Sequence, residues 1–184
     1  MTSGAVVVVS GLPASGKTTL SERLATELGM VLICRDHLRR PFMGAWTALP
    51  PDERGPLIGG AIDQLVNDVL GAVLASSTGA VVDGNFNLAH QSDRLRDFAI
   101  AHALPCYEVC LWGDVDVLRQ RFIDRDDPPI TSDIASHLEE ALTRPRRPVL
   151  GPPCPTTELD STHLSEIDAA FPALIEDIRL RLRR

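Results

Sequence analysis

Short apolar runs alternate along this chain with longer stretches of helical period. Ala5 to Val9 is an unbroken apolar run bounded by turn residues, which predicts a strand buried on both faces. Ser10 to Gly16 is a turn rich in Gly, Pro and Ser. Lys17 to Leu28 carries Leu20, Leu24 and Leu28 on one helical stripe and stops at Gly29. Val31–Cys34 predicts a second buried strand, and a short helix follows from Asp36 to Met43. Pro50, Pro51 and Pro56 interrupt the chain before a long helix over Leu57 to Ser76. Ala80–Asp83 is a third strand, followed by a helix capped by Asn87 and running to about His102, with Leu95, Phe98 and Ala99 inward. Cys106–Trp112 is a fourth strand, Asp114 to Arg125 a helix, Asp126 to Ser132 a loop, and Asp133 to Thr143 another helix. The proline-rich stretch Thr143 to Thr156 cannot be regular. Thr157 to Asp160 is a weak fifth strand, and a last helix is expected to kink or restart at Pro172. Strands alternating with helices throughout predict an α/β fold, a parallel sheet covered by helices on both faces.

Composition agrees with one globular domain over residues 1–184. Hydrophobic residues make up 44% and charged residues 23%, the balance of a chain that packs a core. The apolar run at the start is far shorter than the roughly 20 residues of a membrane span, and it has neither a basic leader nor a cleavage pattern. Cys34, Cys106, Cys110 and Cys154 form no C-x-x-C pair, and the histidines lack metal-ligand spacing. These features predict a cytoplasmic protein with reduced, mostly buried thiols, no membrane partner and no disulfide framework. A net charge of −7 argues against a nucleic-acid partner, which would favour a basic surface. Among 18 basic residues Lys17 is the only lysine, so it marks a position where a compact ammonium is needed in place of a planar guanidinium.

Lys17 lies in Gly11-Leu-Pro-Ala-Ser-Gly16-Lys17-Thr18, a full G-x-x-x-x-G-K-[ST] phosphate-binding loop between a buried strand and an amphipathic helix. Backbone N–H groups from Ala14, Ser15 and Gly16 through Lys17, Thr18 and Thr19 converge on phosphate oxygens in such a loop. Gly11 and Gly16 permit conformations and close approach that a Cβ would block. Lys17 reaches the β- and γ-phosphates of ATP, and the Thr18 hydroxyl ligates Mg²⁺. An N-K-x-D guanine reader would need a second lysine, which excludes a GTPase of that type. No ABC-type signature is present. The third strand ends at Asp83, suited to hold Mg²⁺ through water, and no carboxylate follows it to activate water for hydrolysis. Phosphoryl transfer to a bound acceptor is therefore the expected reaction.

The end of the second strand lies at the same carboxyl edge of a doubly wound sheet as the phosphate loop. Asp36 is placed there to accept the proton of an attacking hydroxyl, and Arg39, one turn on, to hold a polar part of the acceptor. The competing view makes Asp36 only a helix cap and Arg39 a solvated side chain. Trp46 and Asn85 are candidates to line the acceptor pocket. Arg121 and Arg125 share one helical face after the fourth strand; the competing view pairs them with nearby aspartates on a surface helix.

Gly11–Thr18, Arg35-Asp36-x-x-Arg39, Asp83-x-Asn85 and the later arginine helix together resemble the small P-loop kinases, a group with polynucleotide 5′-kinases, chloramphenicol phosphotransferase and zeta-toxin-type sugar-nucleotide kinases. The resemblance covers most of residues 5 to 160. It implies the sheet order 2-3-1-4-5, Asp36 as general base, and a lid over about 119–132. Arg121 and Arg125 of that lid would neutralise charge on the transferring phosphoryl group, and Arg119 would stack on adenine. The acceptor it implies is a small-molecule hydroxyl on a nucleoside, sugar or antibiotic-like compound. A polynucleotide 5′-hydroxyl kinase and a nucleotide-binding regulator without turnover are the alternatives.

Overall fold

The computed structural model describes residues 4–42, 44, 48–50, 53, 55–86, 89–124, 139–142 and 148–182. Five strands, β1 (Val6–Gly11), β2 (Val31–Cys34), β3 (Ala80–Asp83), β4 (Cys106–Trp112) and β5 (Thr156–Asp160), form one sheet. Its order is β2-β3-β1-β4-β5 and every neighbouring pair is parallel, as the resemblance implies. Parallel neighbours need crossover connections, and helices supply them: α1 (Lys17–Leu28), α2 (Arg35–Arg39), α3 (Gly60–Ala75), α4 (Ala89–Ala101), α5 (Val115–Ile123) and α6 (Leu164–Leu182).

The valine run of β1 shows why a continuous apolar strand belongs at the centre of such a sheet. Val6 and Val8 face one core with Ile33, Val82, Val66 and Leu70 of α3, and Leu95 of α4. Val7 and Val9 face the other with Leu20 and Leu24 of α1 and Ile167, Leu174 and Ile178 of α6. All four valines are 1% exposed or less, so neither face tolerates a polar residue. α6 does not restart at Pro172. Ile167 before the proline and Leu174, Ile175 and Ile178 after it are buried, and that burial exceeds the roughly 3 kcal/mol cost of an interior proline.

Two helices depart from expectation at their ends. The helix after β2 is only Arg35–Arg39, followed by a tighter turn over Arg40–Phe42. The long helix opens with a π-helical turn, Gly55–Gly59, before α3. Over Leu57–Ala75 this segment is long and apolar enough to cross a membrane by length and composition, with a mean hydropathy of 1.4. Its Ile62, Val66 and Leu70 stripe packs on the sheet instead, and Asp63 at its start is paired with Arg35 at 2.7 Å.

A charged side chain holds the far end of the chain to the sheet. Glu108 of β4 is wholly buried. Its Oε1 accepts from the Ser10 hydroxyl at 3.0 Å and from Val149 N–H at 2.7 Å, and its Oε2 accepts from Leu150 N–H at 3.0 Å. The carboxylate thus ties β1, β4 and the segment entering β5 in one buried network. Glu108→Ala would strand two backbone donors and a hydroxyl; the expected loss is about 3 kcal/mol in urea unfolding, with about half restored in Glu108→Gln. An unchanged unfolding midpoint in Glu108→Ala would show that the network does not hold this end of the chain.

Candidate active site

The loop after β1 is shaped by backbone conformation at three residues. Gly11 has φ +140, and a Cβ there would lie 2.0 Å from the Leu111 carbonyl oxygen. Its smallness serves the contact with β4, where the sequence suggested approach to phosphate. Ala14 (φ +60) and Gly16 (φ +85) are left-handed, which turns the loop around the start of α1. The Leu12 carbonyl accepts from Ser15 Oγ at 2.8 Å and from the Lys17 ammonium at 2.6 Å. The lysine is therefore folded across the loop and only 8% exposed. α1 begins at Lys17 with no side-chain cap and no acidic residue in its first turn. Its positive end is left to meet an anion, with the ammonium beside it.

β3 delivers a carboxylate to the same edge. Register places Asp83 opposite Val9 of β1 and Cys34 of β2. Asp83 Oδ2 accepts from the Thr18 hydroxyl at 2.8 Å and from the Cys34 thiol at 3.2 Å. Its Oδ1 is buried and has no hydrogen-bond partner among the described residues. Burial pushes the Asp83 carboxyl up, against the pull of the Lys17 charge and the Thr18 bond. Burial and the Asp83 charge push the Cys34 thiol up to about 11. The Thr18 hydroxyl and the Asp83 carboxylate, one of whose oxygens is buried and unsatisfied, form a hard-oxygen donor pair that fits Mg²⁺ held directly or through water. The uncapped helix start and Lys17 fit a nucleotide's phosphates.

Asp36 is exposed on α2, beyond the carboxyl end of β2, and its negative charge is felt at both Asp83 and Cys34. The N-cap of α2 is Cys34, with no side-chain cap bond, so Asp36 does not serve as that cap. Arg39 is half-buried on the same short helix, and Asn85 is half-buried two residues after Asp83. Arg35 and Asp63, which sequence reasoning passed over, brace this edge with side chains only 12% and 6% exposed. A lone aspartate within the apolar start of α3 was the available sign, since a buried charge requires a partner.

Two of the lid arginines are engaged away from the phosphate loop. Arg121 donates to the Ser161 carbonyl at 2.5 Å and to the Thr162 carbonyl at 2.7 Å. Arg119 is fixed between Glu139, at 2.6 and 2.9 Å, and Asp116. Both guanidiniums thus find acceptors within the chain itself, Arg119 on Glu139 and Asp116 and Arg121 on the segment after β5. Arg125, most of the 119–132 lid and Trp46 lie outside the described residues. Arg121 instead fixes the turn between β5 and α6, whose Leu164 side chain would lie 3.4 Å from a Cβ on Gly16. That turn forms a wall beside the phosphate loop, held further by Ser161 Oγ donating to the Trp112 carbonyl at 2.6 Å.

A phosphate loop, an oxygen donor pair and a five-stranded 2-3-1-4-5 sheet define the P-loop fold of the kinase type. Residues 6–148 match the AAA domain family AAA_33, and the chain belongs to that family. An adenylate kinase from Phocaeicola vulgatus is 28% identical over 124 residues, 65% of this chain and 64% of that enzyme, so the chain spans less than two thirds of its length. The crystal structure of a candidate kinase from Chloroflexus aurantiacus J-10-fl is 25% identical with a TM-score of 0.77, covering 100% of this chain and 98% of that one. A gluconokinase from Sinorhizobium meliloti 1021 is 26% identical with a TM-score of 0.61, covering 97% of each. None of these three is named as a polynucleotide kinase, a chloramphenicol phosphotransferase or a zeta toxin; the likeness extends to P-loop kinases broadly.

Two outcomes follow from this geometry. The fold raises the Asp83 carboxyl above its unfolded value. The ionised group therefore costs stability at neutral pH, and the cost disappears as pH falls through the folded value. Asp83→Asn should stabilise the ligand-free protein at pH 7 by about 1 kcal/mol and remove the further stabilisation given by Mg²⁺ with ATP. Thermal unfolding with and without Mg²⁺ and ATP reads both, and retained Mg²⁺-dependent stabilisation would contradict the donor set. Arg121→Ala, which frees the Ser161–Thr162 turn, should raise the KM for ATP several-fold with a smaller fall in kcat. A fall confined to kcat would instead support the transition-state role expected from the sequence.

Proposed function

We propose that this chain transfers the γ-phosphoryl group of ATP, with Mg²⁺, to a hydroxyl of a small molecule. The observation that carries the reading is the Thr18–Asp83 pair beside the uncapped start of α1, with Asp36 across the same sheet edge and no carboxylate directly after Asp83. Such an arrangement suits transfer to a bound acceptor better than hydrolysis. The gluconokinase and adenylate kinase relatives, both enzymes of small substrates by name, support a small acceptor, as does the net charge of −7. The cytoplasm, where ATP is abundant, is the compartment this reading requires.

The residues then divide the task. Loop N–H groups from Ala14 to Thr19 receive the phosphates. Lys17 exchanges its bond to the Leu12 carbonyl for phosphate oxygens, a move within reach of its flexible stem. Thr18 and Asp83 hold Mg²⁺, which when bound offsets charge on the phosphates. Asp36 takes the proton of the attacking hydroxyl, while Arg39 and Asn85 orient the acceptor. Arg125, like Trp46, keeps its sequence-based assignment within this proposal.

The acceptor is found by incubating the protein with ATP, Mg²⁺ and pooled hydroxyl metabolites together with a 5′-hydroxyl oligonucleotide, and reading phosphorylated products by mass spectrometry. A small-molecule product is expected; a phosphorylated oligonucleotide would give the polynucleotide reading, and no product with any acceptor the regulator reading. With the acceptor known, Asp36→Asn should lower kcat by about 10²–10⁴-fold with ATP affinity retained. Lys17→Ala should abolish transfer with the fold intact by circular dichroism. Wild-type kcat in Asp36→Asn would move the base elsewhere.

A further inference from the structure

At the opposite edge of the sheet from the phosphate loop, two cysteines distant in sequence face each other. β4 and β5 run parallel from the pair Glu108–Thr156, and Cys106 and Cys154 each lie two residues before that first pair. Glu108 N–H donates to the Pro155 carbonyl at 2.8 Å, which closes that first pair, and Cys154 lies just before β5 in a bend, its N–H donating to the Gly151 carbonyl at 2.9 Å. On the other side of β4, Val6 N–H donates to the Pro105 carbonyl at 2.9 Å, which fixes the start of the strand. The strands lie about 4.8 Å apart where the ladder begins, two residues beyond each cysteine, and a disulfide spans a Cα separation of about 4.4–6.8 Å. Both side chains pack in the same core as Val6 and Val8, where the Cys154 thiol donates to the Pro155 carbonyl at 3.7 Å and lies close enough to Cys106 to interact with it. Cys106 is half-buried and Cys154 is 8% exposed.

The other two cysteines cannot take these places. Cys110 shares the face of Cys106 and Glu108, but its partner in register is Glu158. Cys34 lies on β2, at the far edge of the sheet, with its thiol on Asp83.

We propose that Cys106 and Cys154 form a reversible dithiol–disulfide site, oxidised by low-molecular-weight disulfides of the glutathione class. Cys106 is the entry point because it is the more accessible, and the interaction between the two thiols pulls Cys106 down from its ordinary value while it pushes Cys154 up. The Cys106 thiolate attacks one sulfur of the small disulfide, forming a mixed disulfide and releasing one thiol. Cys154 then loses its proton to solvent and attacks Cys106 Sγ, which expels the second thiol. Two protein S–H bonds are exchanged for one S–S bond, and the small disulfide is reduced to two thiols. The bond would reinforce the anchor that Glu108 already makes with Val149 and Leu150, since Cys154 lies on the same segment entering β5.

The test equilibrates the full chain in glutathione buffers of graded ratio, alkylates remaining thiols, and maps peptides by mass spectrometry. The expected result is a linked Cys106–Cys154 peptide lacking two hydrogens, alkylated Cys34 and Cys110, and full reversal by dithiothreitol. The oxidised form should also melt higher and exchange its 149–156 amides more slowly. Cys154→Ser should stop at a glutathione adduct on Cys106. Full alkylation of all four cysteines across the series, or a stable glutathione adduct on wild-type Cys106 with no internal link, would overturn the proposal.

Discussion

The parallel register of the three strands at one end of the sheet is the constraint on which the site depends. Val9, Asp83 and Cys34 are neighbours across β1, β3 and β2, so β2 and β3 end together beside Val9, two residues before the end of β1. The Thr18 hydroxyl, one residue into α1, then meets a carboxylate from the neighbouring strand at 2.8 Å. A slip of one residue in β3 would turn Asp83 to the other face of the sheet and leave Thr18 without it. The apolar faces of β1 and β3 prevent that slip, because Val6 to Val9 and Ala80 to Val82 are fully buried and every face is committed to a core.

Buried charge is handled differently at each of three places, and the differences follow function. Glu108 has hydrogen-bond donors on both oxygens and serves as a structural tie. Arg35 and Asp63 neutralise each other and brace α2 on α3. Asp83 keeps one oxygen unpaired and its carboxyl is raised by burial. Ser21 Oγ and Arg96 Nε are likewise buried without a hydrogen-bond partner among the described residues, so what marks Asp83 as a ligand site is its unpaired oxygen together with the Thr18 hydroxyl and the phosphate loop beside it.

Most of the frame was legible in the sequence. The Lys17–Leu28 stripe and the strands ending at Cys34, Asp83 and Trp112 have the boundaries their patterns predict, because period and burial agree there, while the strand of the valine run extends two residues further, to Gly11. Thr18 and Asp83 were found through motif and position, and the structure brings them into contact. What could not be read was the partner of each long polar side chain. Arg119 and Arg121 share one helix, yet one turns to Glu139 and the other to carbonyls after β5. Helical spacing fixes a face but not which distant segment supplies acceptors to it. Glu108 and Asp63 lay unremarked within apolar segments, and their partners come from chain far away in sequence. Pro172 misled for the same reason, as burial on both sides of it outweighs its local preference.

The central claim is that the phosphate loop and the Thr18–Asp83 pair form one Mg²⁺–nucleotide site. A crystal structure with Mg²⁺ and a non-hydrolysable ATP analogue tests it most directly. The account predicts β- and γ-phosphates on the N–H groups of residues 14–19, Lys17 released from the Leu12 carbonyl, and the metal on Thr18 Oγ1 with Asp83 behind it. Phosphates bound elsewhere, or a metal without Thr18 and Asp83 around it, would contradict the account.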